Sequence, residues 1–218
     1  MRKILLVNLS PRKEGTSVTL LNMCKKYLDD KVDKIEMVHL YPNLKKLSNL
    51  HNSLKEADTI IFSGPCYINT YPADTIYLLE YLRIHEELLH GQKLYGIIQG
   101  GMPYAHTHEC GLDLLKMFSI KCNVSYMGGF IMGLGAILNG REINLLPNGK
   151  KVERQLNVFF EHINKSEQVP KCVYEKAIMK IPSFIYKIMA KGMNKKIDKD
   201  LSSRGIDVKQ KSPYLVQE

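Results

Sequence analysis

Five short apolar, partly β-branched runs, Lys3–Leu9, Lys34–Leu40, Thr59–Gly64, Leu94–Gln99 and Val124–Phe130, recur about 25 to 35 residues apart. That interval is the length of a βαβ unit, so five strands are expected. The intervening segments carry helical periodicity instead: Val18, Leu21, Cys24 and Leu28; Leu47, Leu50 and Leu54; Ile76, Leu79 and Leu82 with Tyr77 and Tyr81; Leu112, Leu115 and Phe118. A last stripe, Val152, Leu156, Phe159, Phe160 and Ile163, follows the fifth run. Alternating strands and helices with right-handed crossovers pack as an open parallel sheet covered on both faces, a doubly wound α/β architecture.

The 218 residues suffice for one large domain or two small ones, and 44% hydrophobic with 24% charged residues is a globular balance. No apolar run approaches the ~20 residues of a membrane span. The start Met1-Arg2-Lys3-Ile4 leads directly into the first run, without an apolar segment and small-residue cleavage site, and is read as cytoplasmic. The five cysteines stand singly with no C-x-x-C pair, so neither a disulfide framework nor a tetrahedral zinc site is expected. The net charge of +9 is uneven: residues 1–149 hold 16 Lys and Arg against 14 Asp and Glu, residues 150–218 hold 15 against 8. The polar stretch Asn164–Lys171 reads as a linker, dividing a domain over 1–168 from a basic helical extension over 169–218. In that extension Tyr174, Ala177, Ile178, Ile181, Ile185, Ile188 and Met189 form a stripe that Pro182 interrupts, and Pro182 is expected to begin a new helix. Its lysines Lys187, Lys191, Lys195, Lys196 and Lys199 suit either a solvated face or an anionic lipid or nucleic-acid partner. No zinc-finger or RNA-recognition motif accompanies them, so a nucleic-acid partner is not expected.

Open α/β sheets place ligands beyond the carboxyl ends of their strands, which selects three loops. The first, Asn8–Ser17, gathers Ser10, Arg12, Gly15, Thr16 and Ser17 at a helix start. Unpaired amides, hydroxyls and a cation there suit a phosphate, although Thr16 or Ser17 could equally be an ordinary helix cap. It lacks the lysine of a G-x-x-x-x-G-K-[ST] loop, so nucleotide triphosphate hydrolysis is not expected. The second loop, Ser63–Pro72, has two prolines and two tyrosines; it either faces a flat ligand or folds its tyrosines onto the core. Cys66, with no base or cation nearby in sequence, is read as a small buried hydrophobe rather than a redox thiol. The third loop, Gln99–Cys110, begins Gln99-Gly100-Gly101, and the paired glycines let backbone approach a ligand closely. The following His106-Thr107-His108-Glu109-Cys110 has a metal-like spacing but too few convergent ligands, and is read as an exposed or substrate-facing loop. Gly128, Gly129, Gly133 and Gly135 do not complete a G-x-G-x-x-G fingerprint, since Leu138 takes the third glycine's place; they read as strand edge and turn.

Taken together, Asn8-x-Ser10-Pro11-Arg12-x-x-Gly15-Thr16-Ser17, the run Ala57-Asp58-x-Ile60-Ile61-Phe62-x-x-Pro65-x-Tyr67, and the glycine pair after the fourth strand resemble the flavodoxin-like NAD(P)H-dependent FMN reductase family over about residues 3–165. The resemblance implies a three-layer flavodoxin-like fold with strand order 2-1-3-4-5. It implies bound FMN, with Ser10, Arg12, Thr16 and Ser17 at its phosphate. Pro65, Cys66, Tyr67, Ile68 and Asn69 would lie along the isoalloxazine, and Gly100, Gly101 and Met102 beside its pyrimidine edge. Tyr67, Tyr104 and His106 are the expected pocket lining, with no catalytic acid–base set, because the flavin carries the redox chemistry. Leu9 stands where many relatives have glycine, which leaves the phosphate donors intact. Tyr41–Lys55 contains no cysteine, which excludes the iron–sulfur centre of some relatives. The implied activity moves hydride from NAD(P)H through FMN to a small acceptor such as a quinone, a nitro or azo compound, or free flavin, in a homodimer. A flavodoxin-type one-electron carrier and a non-catalytic flavin-binding or membrane-associated interaction protein are the alternatives; the basic pI near 9.2 weighs against the usually acidic carrier.

Overall fold

The computed structural model describes residues 2–146, 148–178 and 182–206. Ile181 and residues 207–218 of the expected extension lie outside the described residues. Two compact units divide the chain, Met1–Met179 and Lys180–Glu218.

The first unit is built on five parallel strands in the order 2-1-3-4-5: β1 (Lys3–Asn8), β2 (Lys34–His39), β3 (Thr59–Pro65), β4 (Lys93–Gln99) and β5 (Ser125–Met132). Central β1 and β3 pair in register from Ile4 opposite Thr59 to Asn8 opposite Ser63, and β3 is buried along its whole length. Strands sandwiched between helix layers have no solvent face, which explains continuous apolar runs such as Ile4–Val7 in place of alternation.

Helix α1 (Thr16–Leu28) buries Leu20, Leu21, Cys24 and Leu28, and packs with α7 (Gly149–Lys165), which buries Val152, Leu156, Phe159, Phe160 and Ile163. The connections from β2 to β5 supply α2 (Leu40–Asn43), α3 (His51–Glu56), α4 (Ala73–Ile84) and α5 (Glu109–Lys121). The Leu47–Leu50 stretch is a short 3₁₀ turn leading into α3 rather than part of one helix. Helix α4 departs from the periodicity: its buried face is Thr75, Leu78, Leu79 and Leu82, while Ile76 and Tyr77 are exposed. Apolar residues occupy almost every position from Ile76 to Leu82, so the stripe alone could not choose the inward face.

After β5 come α6 (Gly135–Leu138) and α7, and after α7 the chain remains on the sheet. The Val169 amide donates to the Met127 carbonyl at 2.7 Å, the Tyr95 hydroxyl donates to the Glu167 carbonyl at 3.0 Å, and α8 (Cys172–Ala177) buries Val173, Tyr174 and Ala177. The stretch expected to be a linker is therefore in part an edge cover for β5. In the second unit, Pro182 precedes α9 (Ser183–Ser203), which carries the five lysines and exposes Phe184, Ile188 and Met193. Among the described residues no helix is long and apolar enough to cross a membrane.

Candidate functional site

At the carboxyl end of β1, pairing with β3 persists one residue further, with the Leu9 amide donating to the Ser63 carbonyl at 2.8 Å. The chain then turns around the fully buried Asn8 side chain. Its Oδ1 accepts the Ser10 amide at 3.1 Å, and its Nδ2 donates to the Arg12 carbonyl at 3.2 Å and lies 3.0 Å from His39 Nδ1. Ser10 Oγ in turn accepts the Arg12 amide at 3.2 Å. These Asx- and Ser-type bonds shape the loop before any ligand arrives.

Gly15 is the N-cap of α1, no side chain caps the helix, and its first turn holds no acid. The first-turn amides thus lack intrahelical acceptors, and their dipole is not offset by a carboxylate. Thr16 and Ser17 are buried rather than solvated, and Arg12 stands with Thr16 in the wall of one cavity. A helix start with free amides, buried hydroxyls and a guanidinium is an anion cup.

This cavity, about 460 Å³, is lined by Ser10, Arg12, Gly15, Thr16, Cys66, Tyr67, Gln99, Gly100, Gly101, Ala136 and Asn139. Residues singled out in the sequence meet there: Ser10, Arg12, Gly15, Thr16, Cys66, Tyr67, Gly100 and Gly101. Ser17 sits behind Gln99, whose Nε2 approaches its Oγ at 3.4 Å. Pro65 is buried at the end of β3, opposite Gln99. Ile68 and Asn69 form the tip of a tight hairpin, closed by the Tyr67 amide on the Thr70 carbonyl at 2.7 Å, and both have left-handed backbones with φ of 51° and 68°. Met102 is exposed. Tyr104 stacks on exposed His106 with ring centroids 5.5 Å apart.

The two tyrosines of the second loop part company. Tyr71 is 1% exposed and its hydroxyl donates to the Ile97 carbonyl at 3.1 Å, whereas Tyr67 is 54% exposed at the cavity rim. Cys66 is half-buried; its Sγ donates to the Thr107 carbonyl at 3.3 Å, and burial pushes the thiol up, so it is not a thiolate nucleophile. His108 is buried, with Nδ1 2.9 Å from the Tyr104 carbonyl, and desolvation holds it below its ordinary value of 6.5. It serves as a post beneath Gly100, where a Cβ would lie 2.5 Å from His108 Nε2. Among the described residues no three His, Cys, Asp or Glu side chains are placed to hold a metal.

The segment after β5, read in the sequence as strand edge and turn, forms a fourth wall. Thr16 Oγ1 donates to the Gly135 carbonyl at 2.7 Å and Arg12 Nη1 to Asn139 Oδ1 at 2.8 Å, and Thr19 Oγ1 lies 3.2 Å from both the Gly140 and the Gly15 carbonyls. On the other side the Ala136 amide donates to the Gly100 carbonyl at 3.3 Å, and the Leu134 amide to the Met102 carbonyl at 3.1 Å. Gln99 was marked only as the first residue of the third loop, and Ala136 and Asn139 had no motif to mark them; the available signal was their position after a strand's carboxyl end. A second crevice of about 310 Å³, between α5, β5 and α8, lies along the sheet edge, and there Tyr174 already donates to Glu109 at 3.0 Å.

No curated protein sequence matches this chain. Among solved structures, the apo form of an NADH:FMN oxidoreductase is 19% identical with a TM-score of 0.62, covering 80% of this chain and 94% of that one. An FMN-dependent NADH-azoreductase from Bacillus anthracis, in complex with FMN, is 14% identical with a TM-score of 0.56, covering 75% and 100%. An oxidised flavodoxin from Bacillus cereus is 13% identical with a TM-score of 0.56, covering 75% and 97%. At these identities the likeness establishes a shared flavodoxin-like fold. The family model for NADPH-dependent FMN reductase matches residues 2–136, more than half of the chain and all three loops that meet at the cavity. The chain belongs to the NADPH-dependent FMN reductase family.

Proposed function

We propose that this protein is an FMN-dependent NAD(P)H oxidoreductase acting on a small acceptor: a quinone, a nitro or azo compound, or free flavin. The observation that carries the reading is the uncapped start of α1, which opens beside Arg12 and Ser10 into a cavity large enough for a flat ring. The residues present fit FMN on a further count. Gln99 Oε1 is buried in the cavity wall with no partner among the described residues, and a buried acceptor of that kind calls for a donor such as a ribityl hydroxyl.

Bound FMN supplies the hydride chemistry, which no side chain of the site provides. The chain's own work is binding and exclusion. The α1 amides, including those of Thr16 and Ser17, would hold the phosphate with Ser10 and Arg12, while the Thr16 hydroxyl, donated to the Gly135 carbonyl, keeps the fourth wall closed. Pro65, Cys66, Tyr67, Ile68 and Asn69 flank the ring, with Cys66 neutral so that no negative charge opposes reduction at the ring. Gly100, Gly101 and Met102 would lie at its pyrimidine edge; because the Gly100 amide and carbonyl are bonded to Met132 and Ala136 and the Met102 carbonyl to Leu134, Gly101 and the Met102 amide would supply the backbone contacts. Tyr67 stands at the open side, where the nicotinamide and then the acceptor would stack in turn, and Tyr104 and His106, outside the cavity lining of this structure, would complete that face. We further assign the protein to the cytoplasm as a homodimer, both as expectations from its family.

Purified protein should be yellow and release FMN, and anaerobic stopped-flow mixing with NADH or NADPH should bleach the flavin within turnover time. A chain that holds FMN but is not reduced by either nucleotide is a one-electron carrier instead. A chain that takes up no flavin refutes both.

A further inference from the structure

Arg12 is an exposed, rotamer-rich side chain, and a free guanidinium loses rotamer entropy when it is fixed on a ligand. Here part of that ordering is already done, because Nη1 donates to Asn139 Oδ1 at 2.8 Å across 127 residues of chain. Asn139 is itself fixed relative to α1 from both sides. Four residues before it the Gly135 carbonyl takes the Thr16 hydroxyl, and one residue after it the Gly140 carbonyl shares the Thr19 hydroxyl with the Gly15 carbonyl, each at 3.2 Å. Gly140 also lies against Gly15, where a Cβ would come within 3.2 Å of the Gly15 Cα.

The residue type is informative. Asn139 has φ 48° and ψ 42°, a left-handed conformation that glycine adopts more easily and that asparagine tolerates. Glycine would serve the backbone alone; asparagine adds an acceptor. As a neutral acceptor it steers the guanidinium without cancelling its charge, which an aspartate would do.

We infer that Asn139 is a positioning residue that holds the Arg12 guanidinium beside the α1 N-terminus and thereby sets the preference for a phosphorylated flavin over its dephosphorylated counterpart. This rests on the FMN reading above. It assigns to the segment after β5 a role in ligand selection that acts wholly through Arg12.

The test is a fluorescence titration of flavin-stripped full-length protein with FMN and with riboflavin, in wild type, Asn139→Gly, Arg12→Ala and the double variant. Glycine preserves the left-handed backbone, and a thermal melt of each stripped variant verifies folding. The ratio of FMN to riboflavin affinity should fall about three- to tenfold in Asn139→Gly, the worth of one partly solvated bond to a charged group. Adding Asn139→Gly to Arg12→Ala should change that ratio no further. An unchanged ratio in the single variant, or an equal loss on the Arg12→Ala background, overturns the inference. A wild-type protein that binds FMN and riboflavin equally overturns the phosphate cup itself; one that prefers FMN but ignores Asn139→Gly overturns only the role of Asn139.

Discussion

Substituting Gly100 with alanine probes the third loop at its tightest point. A Cβ built there lies 2.5 Å from His108 Nε2, 3.1 Å from Cys66 Cβ and 3.2 Å from His108 Cδ2. Neither side can easily yield. The imidazole is 1% exposed and tied through Nδ1 to the Tyr104 carbonyl and the Thr107 hydroxyl, both 2.9 Å away. The Gly100 backbone is pinned by its amide on the Met132 carbonyl and by the Ala136 amide on its own carbonyl, both at 3.3 Å. Overpacking of this kind costs about 1–3 kcal/mol, and pinned neighbours place it near the upper end. At about 2–4 °C per kcal/mol for a domain of this size, Gly100→Ala should melt about 5–10 °C below wild type by far-UV circular dichroism. If the imidazole is the obstacle, removing it relieves the strain. Gly100→Ala with His108→Ala should then be less destabilised than the sum of the two single variants, by about 1 kcal/mol or more. Strict additivity, or an unshifted melt in Gly100→Ala, would refute the packing argument.

Other perturbations reach neighbouring parts of the site. Asn8→Ala removes the hub of the first loop and strands the Ser10 amide and the Arg12 carbonyl; a loss of about 2–4 kcal/mol is expected in urea unfolding, and a loss under 1 kcal/mol would mean the loop holds its shape without Asn8. His108 binds its proton less readily folded than unfolded, because burial lowers its value below 6.5. The stability it contributes is complete above pH 6.5 and drains as pH falls through the lowered value, so wild type should lose more melting temperature between pH 7.5 and 5.5 than His108→Gln does. Parallel slopes for the two proteins would show that His108 is not the group responsible. Ile68 is 97% exposed with φ 51°, so Ile68→Asn sacrifices no packing and relieves a β-branched residue in a left-handed turn. A gain of about 1 kcal/mol is expected, and a lower melting temperature would show that Ile68 makes contacts in solution, as in a dimer.

The three loops lie where strand spacing and strand polarity place them, and much of the cup could be read directly. Ser10, Arg12, Gly15 and Thr16 are close in sequence, and a strand followed at once by a helix leaves them little choice but to ring the helix start. Other assignments needed the folded chain. Tyr67 and Tyr71 look alike in a proline-rich stretch, yet one faces solvent and the other fills the space above Gly64, where a Cβ would lie 2.9 Å from its ring. The inward face of α4 was ambiguous because one residue turns a helix by only about 100°, and nearly every residue there is apolar. His108, grouped by spacing with His106, proves to be a buried prop for Gly100 rather than an exposed loop residue.

Local periodicity and strand spacing determined the parallel sheet, its helix layers and the gathering of Ser10, Arg12 and Thr16 at the first helix, because each depends on hydrogen-bond geometry and burial within about 30 residues. Only the tertiary structure decided that the turn after β5 would reach over Gln99 to clasp Thr16 and Arg12, from 119 and 127 residues away. No local pattern encodes such a meeting. It arises because α7 must return from the sheet edge to pack beside α1, and the chain entering that helix is drawn across the mouth of the cavity.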